Sequence, residues 1–319
     1  MVGIQAVHLV ITIPIFLTFC VVFFLAWYMP KRDIEQCEAI IKKNSLTFYQ
    51  AFSKIKNKKQ REAIYAVYAF CRYADDLIDE YQDIEGLKRL ESELLLFKEG
   101  ITINHFRWRA LRKATKSFYP KNYDYQPYFD MIKGQKMDID VKEYKTETEL
   151  LNYCYHVAGT VGLMLIPILS KENYLLLNEF AINLGYGMQI TNILRDIGED
   201  YKNHRVYLPK DLMKLANYSI EDLSMGKISS EFIHLFEDLA KKAETYFQGA
   251  LDELYLFDKE VRVPLGLSII LYREIINACR EAEYDVFTKK NYVSDQRKNV
   301  LIQEFINAQS EEISWMFGD

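Results

Sequence analysis

An acidic ladder constrains this chain more than any other feature. Asn192, Asp196 and Asp200 recur every four residues, so on a helix they share one face, with Gln189 one turn earlier. Like charges at that spacing repel by a few tenths of a kcal/mol each, and by more when buried. A helix that only packs has no use for such a row. A hard divalent cation would offset the repulsion, and Mg2+ takes oxygen ligands, often one or two carboxylates completed by substrate phosphates and water. A second row lies far upstream. On a helix, Tyr68, Arg72, Asp75 and Asp79 fall within about 60° of one another, and Ile64, Val67 and Phe70 are assigned to the opposite side.

The two rows make sense together in a helical bundle. The chain has only 13 Gly and 7 Pro in 319 residues. With its long runs of Leu, Ile, Ala, Glu and Lys, that scarcity points to an all-α chain. In such a bundle the rows can face each other across the core. Four carboxylates and Asn192 would be intolerable there without cations. With two or three Mg2+ they form a cage for a diphosphate, which the metals neutralise into a better leaving group. Arg72, Arg195 and Arg205 are placed to hold phosphate oxygens. Departure of the diphosphate leaves an allylic carbocation, which needs a dry pocket and is stabilised by aromatic faces. Tyr68, Tyr153, Tyr207 and Tyr272 stand beside the motifs and suit that task.

Residues 148–169 pack small side chains into an apolar helix, from Tyr153 through Val157, Ala158, Gly159, Val161 and Gly162. Glycine inside a helix costs up to about 1 kcal/mol against alanine. Either a neighbouring helix or a long thin ligand could use the space, and Gly185 and Gly187 pose the same question. Other function classes find little support. The net charge is −5, which does not suit a nucleic-acid binder. The five His and five Cys show no zinc spacing and no C-x-x-C pair, so the cysteines read as reduced, buried thiols. No glycine-rich nucleotide loop follows a strand pattern.

The chain divides into an apolar segment, 1–32, and one helical domain, 33–319. Val7 to Met29 would make a helix of about 34 Å, enough to span a bilayer. Lys31 and Arg32 follow it and put the domain in the cytoplasm. A true start at Met29, or a secretory signal, are the other readings. Helices are expected over 33–53, 59–80, 82–150 in several pieces, 148–169, the motif helix ending at Arg205–Pro209, 229–258, 261–283 and 291–317. The basic run Lys54, Lys56, Lys58, Lys59 and Arg61 is a solvated connector, or touches anionic lipid if the chain is anchored.

Three segments, Arg72-Tyr-Ala-Asp-Asp-Leu-Ile-Asp79, Tyr153-Cys-Tyr-His-Val-Ala-Gly-Thr-Val-Gly162 and Asn192-Ile-Leu-Arg-Asp-Ile-Gly-Glu-Asp200, closely resemble the squalene/phytoene synthase family. The resemblance runs from about residue 35 to 300. It implies an all-α isoprenoid-synthase fold around a central cavity. It also implies head-to-head condensation of two prenyl diphosphates through presqualene diphosphate. Farnesyl diphosphate giving dehydrosqualene in carotenoid synthesis is the leading expectation, without NADPH. Geranylgeranyl diphosphate giving phytoene, and NADPH-dependent squalene formation, are the alternatives. By motif, Asp75 and Asp79 would bind Mg2+ at one site and Asn192, Asp196 and Asp200 at the other. Arg72, Arg195, Arg205, Tyr272 and Ser45 would bind diphosphate. Tyr68, Tyr153, Gln189 and Tyr207 would line the reaction centre, and Val157, Ala158, Val161 and Gly162 the prenyl tunnel. Phe48 and Phe52 are candidates for the tunnel end.

One segment departs from the family pattern. The family usually has His-Ser-Lys/Arg-Ser-Phe near the start, where this chain has Asn44-Ser45-Leu46-Thr47-Phe48. Lys42 or Lys43 would have to reach in to replace the lost basic residue. A terpene cyclase, and a membrane-tethered scaffold for pathway enzymes, are remoter readings, opposed by the 153–162 motif and by the intact aspartates respectively.

Overall fold

The scarcity of helix breakers and the capping residues between apolar runs set the architecture. The computed structural model describes residues 31–140 and 143–317, with side chains to residue 308. The expected membrane segment 7–29 lies outside the described residues. Among them there is no strand, only a bridge between Glu143 and Val206.

Helix α1 covers 31–44, and the other helices are α2 (Leu46–Phe52), α3 (Lys58–Asp79), α4 (Ile84–Lys98), α5 (Phe106–Phe118), α6 (Gln126–Asp140), α7 (Glu147–Cys154), α8 (Thr160–Leu169), α9 (Asn178–Lys202), α10 (Lys210–Leu215), α11 (Ile220–Ser224), α12 (Ser230–Asp252), α13 (Lys259–Glu281) and α14 (Asp295–Phe317). Side-chain oxygens cap several N-termini and satisfy the orphan amides there. Asn57 accepts from Lys59 and Gln60 at the start of α3, Asp83 from Gly86 before α4, and Thr146 from Glu149 before α7. The stretch expected as one helix over 33–53 breaks at Ser45. The stretch over 148–169 is continuous, but contains a wide π turn at Tyr155–Gly159, a feature that concentrates at functional sites.

Helix α9 is the axis of the bundle, packed against α7, the π turn, α8, α12 and α13. Two glycine contacts make this closeness possible. A Cβ on Gly185 would lie 2.5 Å from the Gly159 amide nitrogen, and one on Gly162 would lie 2.7 Å from the Ala181 carbonyl oxygen. Close helix packing therefore accounts for Gly159 and Gly185. Gly162 and Gly185 serve packing and also line the cavity. A continuous apolar core runs from Ile34 to Val286. Cys37, Cys71, Cys154 and Cys279 are buried, free thiols. The stretch Glu147–Leu169 is long and apolar enough to cross a membrane, yet in this fold it is an element of the bundle.

Candidate active site

Helix α9 exposes one face to a central cavity of about 1220 Å³, and that face changes character along its length. Phe180, Ala181, Leu184 and Met188 line one end. Gln189, Asn192, Asp196 and Asp200 line the other. Phe180 and Asp200 are 20 residues apart, so the gradient spans about 30 Å of helix. Tyr68, Arg72, Asp75 and Asp79 of α3 line the same cavity. Each row therefore presents its polar face to one shared space.

The opposite side of α3 is narrower than the sequence suggests. Ile64 and Val67 also line the cavity, which needs an apolar wall beside its polar one. Phe70 alone of the three turns away, its ring 5.7 Å from Trp108 and 5.0 Å from Tyr128.

The charged groups pair across the polar end. Arg205 Nη1 donates to Asp79 Oδ1 at 2.9 Å and so ties the segment after α9 to α3. Arg195 grips its neighbour Asp196 with two bonds of 2.8 and 2.6 Å. Lys290 reaches Asp196 at 3.1 Å and Glu199 at 2.9 Å. Arg72 pairs with Asp75 at 3.1 Å and Glu80 at 3.1 Å. Tyr272 donates to Asn192 Oδ1 at 2.7 Å, and Asn192 Nδ2 to Gln189 Oε1 at 3.4 Å.

Even so, the site is short of positive charge. Burial, then repulsion from Asp79, pushes the Asp75 carboxyl up to about 7 despite Arg72. Burial, then Asp196, pushes Asp200 up to about 8 despite Arg205. Burial is the larger cause at both, and a cation brought beside these carboxyls would favour their ionised forms. Among the described residues, no three His, Cys, Asp or Glu side chains converge closely enough to hold an ion alone. The donors fit a hard cation that completes its shell with water and phosphate oxygens, rather than one held in an all-protein cage.

The segment after α9 is placed by the backbone. The helix ends at Lys202, His204 takes a left-handed φ of 59°, and the Arg205 amide donates to the Asp200 carbonyl at 2.9 Å. Residues 205–209 are thus a strap rather than the tail of the helix. The Glu143–Val206 bridge and the bond from Lys210 N to Tyr144 O at 3.0 Å fix it. Tyr207 then stacks on Tyr153 with ring centroids 5.1 Å apart. The π turn places Val157 and Ala158 on the cavity wall, followed by Val161, while Tyr155 turns out to donate to Asp130 at 3.0 Å.

Ser45 is the exception among the candidate residues. It does not line the cavity. It occupies the break between α1 and α2, where its amide bonds to the Ile41 carbonyl at 2.8 Å. Leu46 is exposed. Lys42 lies over the Tyr49 ring at 5.6 Å, and neither Lys42 nor Lys43 lines the cavity. Phe48 does line it, but stacks at 5.6 Å on Tyr272, beside Asn192 rather than at the tunnel end. Sequence reasoning missed Lys290, Gln135 and Asp138, all on the wall. Lys290 belongs to a loop without periodicity. Gln135 keeps a buried Oε1 with no hydrogen-bond partner. Asp138 accepts from Tyr207 at 2.7 Å and from Tyr153 at 3.1 Å.

Comparison with known proteins agrees with this geometry. Residues 41–297 match the family model for squalene/phytoene synthase. A chloroplastic phytoene synthase of Daucus carota is 33% identical over 87% of this chain and 71% of its own length. A crystal structure of a dehydrosqualene synthase in complex with ligand is 40% identical, covers 88% of this chain and 98% of its own, and superposes with a TM-score of 0.84. A squalene synthase from Alicyclobacillus acidocaldarius, 22% identical over 80% of this chain and 95% of its own, shares the fold with a TM-score of 0.70. Matched over most of its length and carrying both acidic rows on one cavity, the chain belongs to the squalene/phytoene synthase family of prenyltransferases.

Proposed function

We propose that this protein condenses two farnesyl diphosphates head to head, through presqualene diphosphate, to dehydrosqualene in carotenoid synthesis. The observation that carries the reading is the gradient along α9. One end of the cavity is built from carboxylates, guanidiniums and Asn192, and the other from Phe180, Leu184, Val161 and Leu169. A diphosphate joined to a long hydrocarbon has the same polarity. The 40% identity to a dehydrosqualene synthase favours the farnesyl chain over the geranylgeranyl one.

Asp75 and Asp79 on α3, and Asn192, Asp196 and Asp200 on α9, would hold Mg2+. When bound, Mg2+ neutralises the diphosphate and makes it a better leaving group. Arg72, Arg195 and Arg205 exchange their carboxylate partners for phosphate oxygens, which accept the same forked geometry. Tyr272 orients Asn192 through the 2.7 Å bond. Tyr68, Tyr153, Gln189 and Tyr207 line the same cavity and would present aromatic faces and oxygen lone pairs to the cation. Val157, Ala158, Val161 and Gly162 wall the prenyl chains and keep water from quenching it. No reductant is required for dehydrosqualene. Residues 7–29 would tether this cytoplasmic domain to the membrane, where the substrate's tails and the product partition.

The test is to incubate the purified chain with Mg2+ and labelled farnesyl diphosphate, with and without NADPH, and to analyse the hydrocarbon. Dehydrosqualene in both mixtures is expected. Product only from geranylgeranyl diphosphate replaces this reading with phytoene synthesis, and no product from either substrate refutes it. Asp75→Ala and Asp196→Ala should each abolish turnover in a folded protein, as circular dichroism would verify.

A further inference from the structure

Asp138 belongs to neither acidic row and is 5% exposed, near the C-terminus of α6. Its two carboxylate oxygens divide between two tyrosines. Oδ1 accepts from the Tyr207 hydroxyl at 2.7 Å and Oδ2 from the Tyr153 hydroxyl at 3.1 Å. The Tyr153 hydroxyl is also within donating distance of the Tyr207 oxygen, at 3.3 Å. Tyr144 packs on both rings, at 5.4 Å from Tyr153 and 5.8 Å from Tyr207, so neither phenol can swing without disturbing the stack. Asp138, Tyr153 and Tyr207 all line the cavity.

On the head-to-head reading, we infer that Asp138 is the positioning residue and final proton acceptor for closure of the cyclopropane ring, acting through Tyr153. A phenol that donates its proton to a carboxylate turns that proton away from the cavity and offers lone pairs to it. Tyr153 is therefore oriented to accept a proton. Ring closure needs such an acceptor. After the first carbon–carbon bond forms, a C–H bond at the closing carbon breaks, and its electron pair makes the second carbon–carbon bond to the cationic centre. The released proton passes to the Tyr153 oxygen while the Tyr153 proton passes to Asp138 Oδ2. The cation becomes a neutral cyclopropane, the carboxylate becomes a carboxylic acid, Tyr153 is unchanged, and no oxidant or reductant is consumed.

The carboxylate is what makes Tyr153 competent. A buried phenol acting alone would have to become an oxonium, or be a phenolate beforehand, and burial holds the Tyr153 hydroxyl protonated, far above its ordinary range. Passing one proton on as another arrives avoids both forms. Burial also raises the Asp138 carboxyl above the usual carboxylate range, against the lowering effect of the Tyr207 bond, so the acid that results is well held.

The experiment separates the half-reactions in the full-length protein with Mg2+. Single-turnover quenching follows presqualene diphosphate formed from farnesyl diphosphate, and presqualene diphosphate supplied directly follows its conversion to hydrocarbon. Asp138→Asn, equal in size, should slow presqualene formation by about 100-fold or more, the usual range for loss of a proton acceptor. Binding of farnesyl S-thiolodiphosphate, the thermal midpoint and conversion of supplied presqualene diphosphate should stay close to wild type. Asp138→Glu should recover part of the lost rate. A wild-type rate of presqualene formation in Asp138→Asn overturns the inference and leaves the proposed function standing. Equal losses in both half-reactions, or loss of analogue binding, also overturn it by reducing Asp138 to a packing role. A wild-type chain that makes no presqualene diphosphate refutes the head-to-head reading itself.

Discussion

At the scale of single residues, the site is defined by carboxylates that resist ionisation. Asp75 and Asp200 are pushed up to about 7 and about 8, whereas in an unfolded chain each sits near 4. Between those values the folded protein holds protons that the unfolded chain has released, so stability falls as pH rises. In a chelator, the thermal midpoint should therefore drop from pH 5 to pH 8. Asp75→Asn and Asp200→Asn should each flatten that slope. Added Mg2+ should raise the midpoint more at pH 8 than at pH 5, because only the ionised carboxylates bind it. A midpoint flat from pH 5 to pH 8 in the chelator would remove the case for a cation-hungry site. The same scale shows what a sequence conceals. The rows at Asp75/Asp79 and Asn192/Asp196/Asp200 were legible because repulsion at helical spacing demands a reason. Asp138 stands in Lys136-Met-Asp-Ile-Asp140, where nothing periodic distinguishes it from a solvated acid. Its meaning arises only when Tyr153 and Tyr207, from other elements, close on it.

At the scale of elements, helix identity was legible and helix shape was not. Apolar periodicity and caps such as Asn57 and Thr146 located most helices, including α3 almost to its ends. The break at Ser45 and the π turn at Tyr155–Gly159 escaped, since both depend on tertiary partners rather than local preference. Ile64 and Val67 face the cavity against the sequence expectation for a related reason. A helix lining a cavity has polar and apolar stripes side by side, and both can face inward. The close approach of α9 to the π turn gives the test at this scale. Gly185→Ala would force a Cβ to within 2.5 Å of the Gly159 backbone. Overpacking against backbone costs roughly 1–3 kcal/mol or more. Gly249→Ala, within α12 and with nothing within 4 Å of its new Cβ, should instead stabilise by about 0.5–1 kcal/mol. Urea denaturation of the two variants should move in opposite directions. If Gly185→Ala were as stable as wild type, the glycine at this crossing would not be required for packing.

At the scale of the whole molecule, the fold turns a one-dimensional pattern into a graded cavity. Acidic rows separated by more than a hundred residues meet at one end because α3 and α9 both line it, while the amino-terminal half of α9 and the end of α8 wall the other with Phe180, Leu169 and Leu165. Which prenyl chain fits depends on this apolar half, and no local pattern encodes its depth. Phe48 and Phe52 shared one sequence-level expectation, and the structure divides them. Phe48 stacks on Tyr272 at 5.6 Å, next to the polar half. Phe52 lies one turn on, with its ring 5.8 Å from Phe48 and 4% exposed. Removing the Phe52 ring enlarges the apolar wall without touching Tyr272, at a stability cost of about 3–5 kcal/mol. Phe52→Ala should therefore raise the use of geranylgeranyl over farnesyl diphosphate by about tenfold or more, since pocket walls discriminate by such factors per methylene-sized change. Phe48→Ala should leave the preference near wild type and lower turnover, because it frees Tyr272 and with it Asn192. Competition between the two labelled diphosphates, with C30 and C40 products separated by chromatography, reads both outcomes. An unchanged product ratio in Phe52→Ala would move control of chain length to the Phe180–Phe257 pair, whose rings meet at 4.7 Å on the same cavity wall.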